Sequence, residues 1–235
     1  MGLSLIKPRL SVLLAALVTT VSAVVLVGPA ANAAVIPVST RIHLQEIATA
    51  QVGGVHQIKG QVLGTVGSST GYVDVGTVTA YRQLAGEAGF TPVGTVAVGQ
   101  YFTMSLPAVR NGSYRFDFSG GSEVVGSNTL QYAVSSTTAL GPVSRSLGLG
   151  FPAHFRGKLR VRAAVAPGFA KRRIQVQKDG TCTGAWRGAG FMKTNKRGVA
   201  VKKFRAPAGQ MCWQFIVPGD ANYAQGVAGI RTFKS

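Results

Sequence analysis

Residues 211–220 read Met-Cys-Trp-Gln-Phe-Ile-Val-Pro-Gly-Asp. Trp213, Phe215 and Val217 alternate with Cys212, Gln214 and Ile216, the period of two that sends one set of side chains to a core and the other to the opposite face of a strand. Pro218, Gly219 and Asp220 then supply turn chemistry that ends the run. At a spacing of 99 residues upstream, Tyr114, Phe116 and Phe118 repeat the alternation before Gly120-Gly121, so Trp213 aligns with Tyr114 and Gly219 with Gly120. Further matches follow at nearly the same spacing: Ser39-Thr40 with Ser136-Thr137, Gly60 with Gly157, and Pro107 with Pro207. The chain is expected to be a duplication of one β unit.

Outward from these two strands, alternation and turn residues predict seven short strands in each copy. In the first half they fall near 40–48, 56–63, 76–82, 91–96, 100–106, 112–118 and 127–134, with Asn111-Gly112 as a hairpin turn between the fifth and sixth. In the second half they fall near 137–143, 153–164, 172–178, 185–192, 198–205, 211–217 and 226–233. No long apolar stripe of helical period follows the N-terminal region, so helix should be nearly absent. Seven strands per copy fit a Greek-key sandwich. The expected organisation is all-β: residues 1–33 a signal peptide, 34–134 one sandwich, 135–235 a second.

The signal peptide is read from Lys7 and Arg9, the uncharged apolar run 11–27, and the Ala31-Asn32-Ala33 exit, which places cleavage before Ala34. An uncleaved membrane anchor is the alternative, because the apolar run is somewhat long. After cleavage no stable membrane insertion is expected. Cys182 and Cys212 are an even pair in an exported chain, and a disulfide between the loop after the third strand and the sixth strand of the second copy is expected.

A family resemblance rests on Phe-Ile-Val-Pro-Gly-Asp-Ala-Asn-Tyr-Ala, residues 215–224. This resembles the end of bacterial Ig-like repeats, where an aromatic strand leads into Gly-Asp-x-x-Tyr before the last strand. The first copy departs from the pattern with Gly120-Gly121-Ser122-Glu123 and joins the resemblance only through the internal alignment. The resemblance implies spacers, adhesive modules or polysaccharide-associated domains of secreted and surface proteins, with no shared catalytic residues.

Charge is distributed unevenly. Residues 34–134 carry five basic and five acidic side chains, whereas residues 135–235 carry eighteen basic side chains against Asp179 and Asp220. In Phe155-Arg-Gly-Lys-Leu-Arg-Val-Arg162, period two sends Phe155, Gly157, Leu159 and Val161 inward and leaves Arg156, Lys158, Arg160 and Arg162 on the other face. Pairing of the second strand with the fifth would bring Lys203 and Arg205 alongside. A solvent face needs polarity, but like charges on neighbouring strands repel. Such a face would suit an anionic polymer, against the plainer reading of a solvated surface that discourages edge pairing.

Other motifs are weaker. Gly67-Ser68-Ser69-Thr70-Gly71 has the nucleophile-elbow pattern but no helix after it, as a serine hydrolase would need. His43, His56 and His154 fall on separate strands without ligand partners and read as surface or rim residues. Asp220 and Asn222 offer too few oxygens for calcium, so Asp220 reads as a turn aspartate. Trp213 should be buried beside Phe215, and Trp186, aligned loosely with Phe90, is expected in the core. Asn111-Gly112-Ser113 is formally a glycosylation acceptor, read here as a turn.

The function expected from these features is a secreted or wall-associated, non-enzymatic Ig-like protein. Its second domain would associate electrostatically with an anionic polysaccharide or teichoic-acid-like polymer of the cell envelope or matrix. The alternative is a structural or protein-interaction module with incidental basicity, and an extracellular enzyme ranks third. No cofactor and no metal are expected, and export argues against nucleic acid as the polymer.

Overall fold

The computed structural model describes residues 33–150, 152–155, 157–205 and 207–233. The expected signal segment, apart from Ala33, and Arg156 lie outside the described residues. Among the described residues the regular structure is all strand, and no helix is long and apolar enough to cross a membrane.

In chain order the strands begin with β1 (Val35–Leu44), β2 (Ala50–Gln51), β3 (Val55–Val66), β4 (Ser69–Tyr72), β5 (Thr77–Leu84), β6 (Thr91–Ala97) and β7 (Phe102–Pro107). They continue with β8 (Gly112–Phe118), β9 (Gly121–Val125), β10 (Asn128–Tyr132), β11 (Ser135–Gly141), β12 (Val143–Ser144), β13 (Ser146–Leu149) and β14 (Ala153–Phe155). The last six are β15 (Lys158–Ala166), β16 (Arg173–Asp179), β17 (Arg187–Lys193), β18 (Val199–Arg205), β19 (Met211–Val217) and β20 (Gly226–Thr232).

The chain forms two compact units. The first holds the described residues up to Ala48, then His56–Leu106 and Ser113–Gly141; the second holds Thr49–Val55, Pro107–Gly112 and Pro142 onward. In the first unit one sheet runs β4-β3-β1-β10-β9, with β7 also on β3, and the other runs β11-β8-β5-β6. In the second unit β15 has β18 on one side and β13 and β14 on the other, while β17-β16-β19-β20 form the second sheet. The short parallel pair of β2 and β12 also belongs to this unit.

One strand order recurs. In each unit a strand pairs with an earlier strand and with a later one, β3 with β1 and β7, β15 with β13 and β18. The opposite sheets correspond as β6-β5-β8-β11 and β17-β16-β19-β20. The strand near 137–143, expected to open the second copy, instead forms as β11 and lies beside β8 in a sheet of the first unit. The first unit adds β4 and the β9–β10 hairpin, which fills the place taken in the second by the loop 218–225.

Strands β8 and β19 share one burial pattern. Their third, fifth and seventh residues are buried, Tyr114, Phe116 and Phe118 in one and Trp213, Phe215 and Val217 in the other. Each set anchors its own apolar core, in the first unit with Val62, Phe102 and Leu130, in the second with Leu159, Ile174 and Met192. Burying such aromatic side chains contributes on the order of 2–3 kcal/mol each before entropy is counted.

Four further expectations need correction. The strand expected over 153–164 is broken: β14 and β15 form a hairpin, with Gly157 in its turn at φ +69°. Gly60, its aligned counterpart, instead lies inside β3, where an added Cβ would strike the Phe102 ring and Leu44. The two glycines therefore answer different needs, left-handed backbone at one and close packing at the other. Asn111-Gly112 is no hairpin turn, because β7 and β8 lie in different sheets. Asn111 instead accepts a bond from Val143 N (2.9 Å) through its side-chain oxygen and donates its backbone N–H to Asn222 O (2.7 Å).

His56 is buried rather than at the rim. Its Nδ1 lies 3.3 Å from Ala48 O, and its ring meets Tyr114 edge-on at 5.7 Å. Burial holds its pKa below the ordinary 6.5. Trp186 is not in the core: it is 37% exposed in the segment before β17, because residues 180–186 loop around Asp179 and the strand starts only at Arg187.

Candidate functional site

Strand β15 carries the alternation that builds the basic face. Leu159, Val161 and Ala163 are buried, and Lys158, Arg160 and Arg162 are exposed between them. On β18, Ala200 and Phe204 are buried while Val201, Lys203 and Arg205 are exposed. The antiparallel register sets Lys158 opposite Arg205, Arg160 opposite Lys203 and Arg162 opposite Val201. Five of the six cations read from the sequence thus share one sheet face; Arg156 lies outside the described residues. Along a strand the charges repeat about every 6.6 Å, and between directly opposed residues the Cβ atoms lie about 4.5–5.5 Å apart. The face is not uniform. Past Arg162 it turns apolar, with Val201 half exposed and Ala164 opposite Val199.

Lys202 differs from its neighbours. It follows the inward phase of β18, and its Nζ donates to Phe191 O at 2.8 Å, so it is tied to β17 and removed from the face.

Few groups in the second half could neutralise the ladder. The second half has only two carboxylates, Asp179 and Asp220, and both have other partners. Asp179 is buried at the end of β16. Its Oδ1 accepts from the backbone N–H (2.9 Å) and hydroxyl (2.7 Å) of Thr181, and its Oδ2 from Gly184 N (2.8 Å) and Ala185 N (3.1 Å). The Thr181 hydroxyl, with these backbone donors, holds the carboxyl well below the usual range. Four donors fill the four acceptor positions of a carboxylate.

Asp220 closes the loop after β19. Asn222 N and Tyr223 N donate to Oδ1 at 3.1 and 3.2 Å, the turn role expected from sequence. Oδ2 receives Arg145 Nη2 and Arg172 Nη1, both at 2.7 Å. Arg145 is only 4% exposed, donates Nε–H to Pro167 O, and lies against the Tyr223 ring at 4.3 Å. Sequence reasoning missed this clamp, since Arg145 and Arg172 are 75 and 48 residues from Asp220 and no local pattern connects them.

The clamp makes a prediction about acid. Burial raises the Asp220 pKa, but bonds from Arg172 and Arg145 outweigh it and hold the carboxyl at about 2, below the ordinary 3.8. The stability it contributes is full above the unfolded value and is lost as pH falls from near 4 through about 2. Asp220→Asn should cost about 1–3 kcal/mol at neutral pH by leaving Arg145 short of its partner, and should flatten the acid limb. Calorimetric melts of parent and variant from neutral pH down to about 2 check this; acid limbs of equal slope would contradict the clamp.

Elsewhere the candidates do not assemble. Gly67 and Ser68 form the turn of the β3–β4 hairpin, with Val66 opposite Ser69, so the nucleophile-elbow pattern has no helix behind it. His43 is exposed on β1, and the His154 side chain lies outside the described residues. Among the described residues no three His, Cys, Asp or Glu side chains gather to hold a metal. Cys182 and Cys212 form a disulfide with Cα atoms 5.3 Å apart, fastening the loop after β16 to β19.

No protein-family model matches the chain, and no curated protein matches it. Among solved structures, one similar chain is the tetra-tandem repeat in the extending region of a large adhesion protein. The two share 9% identity with a TM-score of 0.32, over 84% of this chain and 49% of the other, so this chain spans about half the length of that one.

Proposed function

We propose that this is a secreted, non-enzymatic protein of two tandem Ig-like Greek-key sandwiches, exported by residues 1–33, whose second half holds an anionic polymer of the cell envelope or matrix. The recurrent strand order supports the tandem reading. The observation that carries the function is the set of opposed cations, Lys158 with Arg205 and Arg160 with Lys203, flanked by Arg162. Both acids of that half are held elsewhere, by Thr181 and by Arg145 and Arg172. Like charges placed directly opposite destabilise a sheet, and a polyanion laid across them removes the repulsion and releases its counterions. The polymer is an acidic polysaccharide or a teichoic-acid-like poly(glycerol phosphate), and the first half serves as spacer or partner-binding module.

The test is retention of the full chain on immobilised poly(glycerol phosphate) and on polygalacturonate. Replacing Lys158, Arg160, Arg162, Lys203 and Arg205 together by glutamine should abolish retention and leave the melting temperature unchanged or slightly raised. Equal retention of variant and parent on both matrices would reduce the ladder to a solvated face.

A further inference from the structure

A second site lies at the end of the second unit that carries the disulfide. There Lys178, the penultimate residue of β16, is directly opposite Arg187, the first residue of β17. Between them the chain makes the excursion 180–186, and this loop and Met211 of β19 enclose a cleft of about 350 Å³ lined by Lys178, Arg187, Asp179, Thr181 and Met211. That volume is at the small end of ligand sites, which run from roughly 300 to 1,000 Å³.

The lining sorts by what each group can still do. Asp179 has its four acceptor positions filled by Thr181, Gly184 and Ala185, so it shapes the loop and offers no lone pair to a ligand or to the two cations. Among the described residues neither Lys178 nor Arg187 makes an ion pair. Two cations thus face one cleft from adjacent strands, which costs repulsion in the empty state. Arg187 brings a planar fork suited to two oxygens of one anionic group, and Lys178 a mobile point charge.

The wall is fixed in advance. Cys182 is tied to Cys212 on β19, and Asp179 binds both ends of the loop. Cys182 has φ +56°, a left-handed conformation that a non-glycine residue keeps only where its surroundings determine it, as at ligand clamps. A loop held this way loses little freedom on binding.

We infer that this cleft is a binding site for one negatively charged sugar unit, its carboxylate or phosphate held by Arg187 and Lys178 and its ring laid against Gly180, Ala185 and Met211. Charge sets the sign of the ligand, because the two cations outnumber the one carboxylate, Asp179, in the lining. The size leaves room for more than a bare anion, and Gly180, Ala185 and Met211 supply an apolar wall against which the carbon-bound face of a sugar ring can lie. The site is separate from the face on β15 and β18: that face would grip a polymer along its length, whereas the cleft would take a single unit or a chain end.

The test is a ¹H–¹⁵N NMR titration of the full chain with glucuronate, with glucose 6-phosphate and with neutral glucose, repeated on Lys178→Gln/Arg187→Gln and on the five-glutamine ladder variant. Either anion should shift the amides of Gly180–Arg187 and Met211 in the parent and in the ladder variant. Glucose should not, and the shifts should vanish in the Lys178/Arg187 variant; which anion acts tells carboxylate from phosphate recognition. No shift with either anion, equal shifts with glucose, or shifts that persist in the Lys178/Arg187 variant would overturn the inference. Loss of polymer retention in the ladder variant with cleft shifts intact would separate the two sites; cleft shifts in a parent that retains no polymer would leave the cleft standing and end the polymer reading.

Discussion

Truncating Trp213 to alanine is expected to destabilise the second unit by about 3–5 kcal/mol, the range for removing a large aromatic side chain from a packed core. Trp213 is 3% exposed, meets Phe204 at a ring distance of 5.2 Å, and its Nε1 donates to Thr232 Oγ1 at 3.1 Å. It fills the gap between the sheets where β18 passes into β19, so its loss leaves a cavity bordered by strands of both sheets. Trp213→Phe keeps most of the apolar volume and loses the indole donor, and should cost about 1–2 kcal/mol. The Thr232 hydroxyl would keep Met211 O as an acceptor. Calorimetric unfolding of parent and both variants checks the order; an alanine variant no less stable than the phenylalanine one would show that Trp213 does not hold the two sheets together.

The second large effect comes from the disulfide. Replacing Cys182 and Cys212 by serine frees a closure spanning 30 residues. On the chain-entropy account this costs about 3–4 kcal/mol, because the open chain gains conformations when unfolded. For a unit of this size that lowers the melting temperature by roughly 15–25 °C. Both tryptophans, Trp186 and Trp213, belong to the second unit, so their fluorescence follows its unfolding without contribution from the first. A fluorescence melt unmoved by the double substitution would mean that Asp179 and its backbone donors alone hold the loop.

The alternating runs were legible in the sequence because each declares its buried face within a few residues. Tyr114-x-Phe116-x-Phe118 and Trp213-x-Phe215-x-Val217 fall on corresponding strands with the same phase. Lys158, Arg160 and Arg162 could be assigned to one face by the same rule, and the partner strand followed from the sandwich pattern, which brought Lys203 and Arg205 into register.

Other features depend on contacts that the sequence does not encode locally. Period two through 155–162 sends Gly157 inward, in line with its aligned partner Gly60; glycine serves turns and close packing equally well, and the alphabet does not distinguish them. Trp186 reads as core through its loose alignment with Phe90, yet an Asp179 carboxylate that collects the amides of Gly184 and Ala185 holds the chain out of the sheet until Arg187. His56 reads as a rim histidine from its neighbours in sequence, and its burial beside Tyr114 depends on a partner 58 residues away. The Arg145–Asp220–Arg172 clamp is illegible in the sequence for the same reason. It bears on function as well as stability, because it engages one of the two carboxylates that could otherwise have neutralised the ladder.

The measurement that bears most directly on the polymer-binding account is the salt dependence of affinity for poly(glycerol phosphate), parent against the five-glutamine variant. If the five cations each release about 0.7 of a counterion from a flexible polyanion, a plot of log affinity against log salt should have a slope near −3.5 for the parent. That is a loss of roughly 100-fold between about 50 and 200 mM salt. The variant's line should be nearly flat at much weaker binding. Parallel lines for parent and variant would place the electrostatic contact somewhere other than the face on β15 and β18, and would contradict the proposed function.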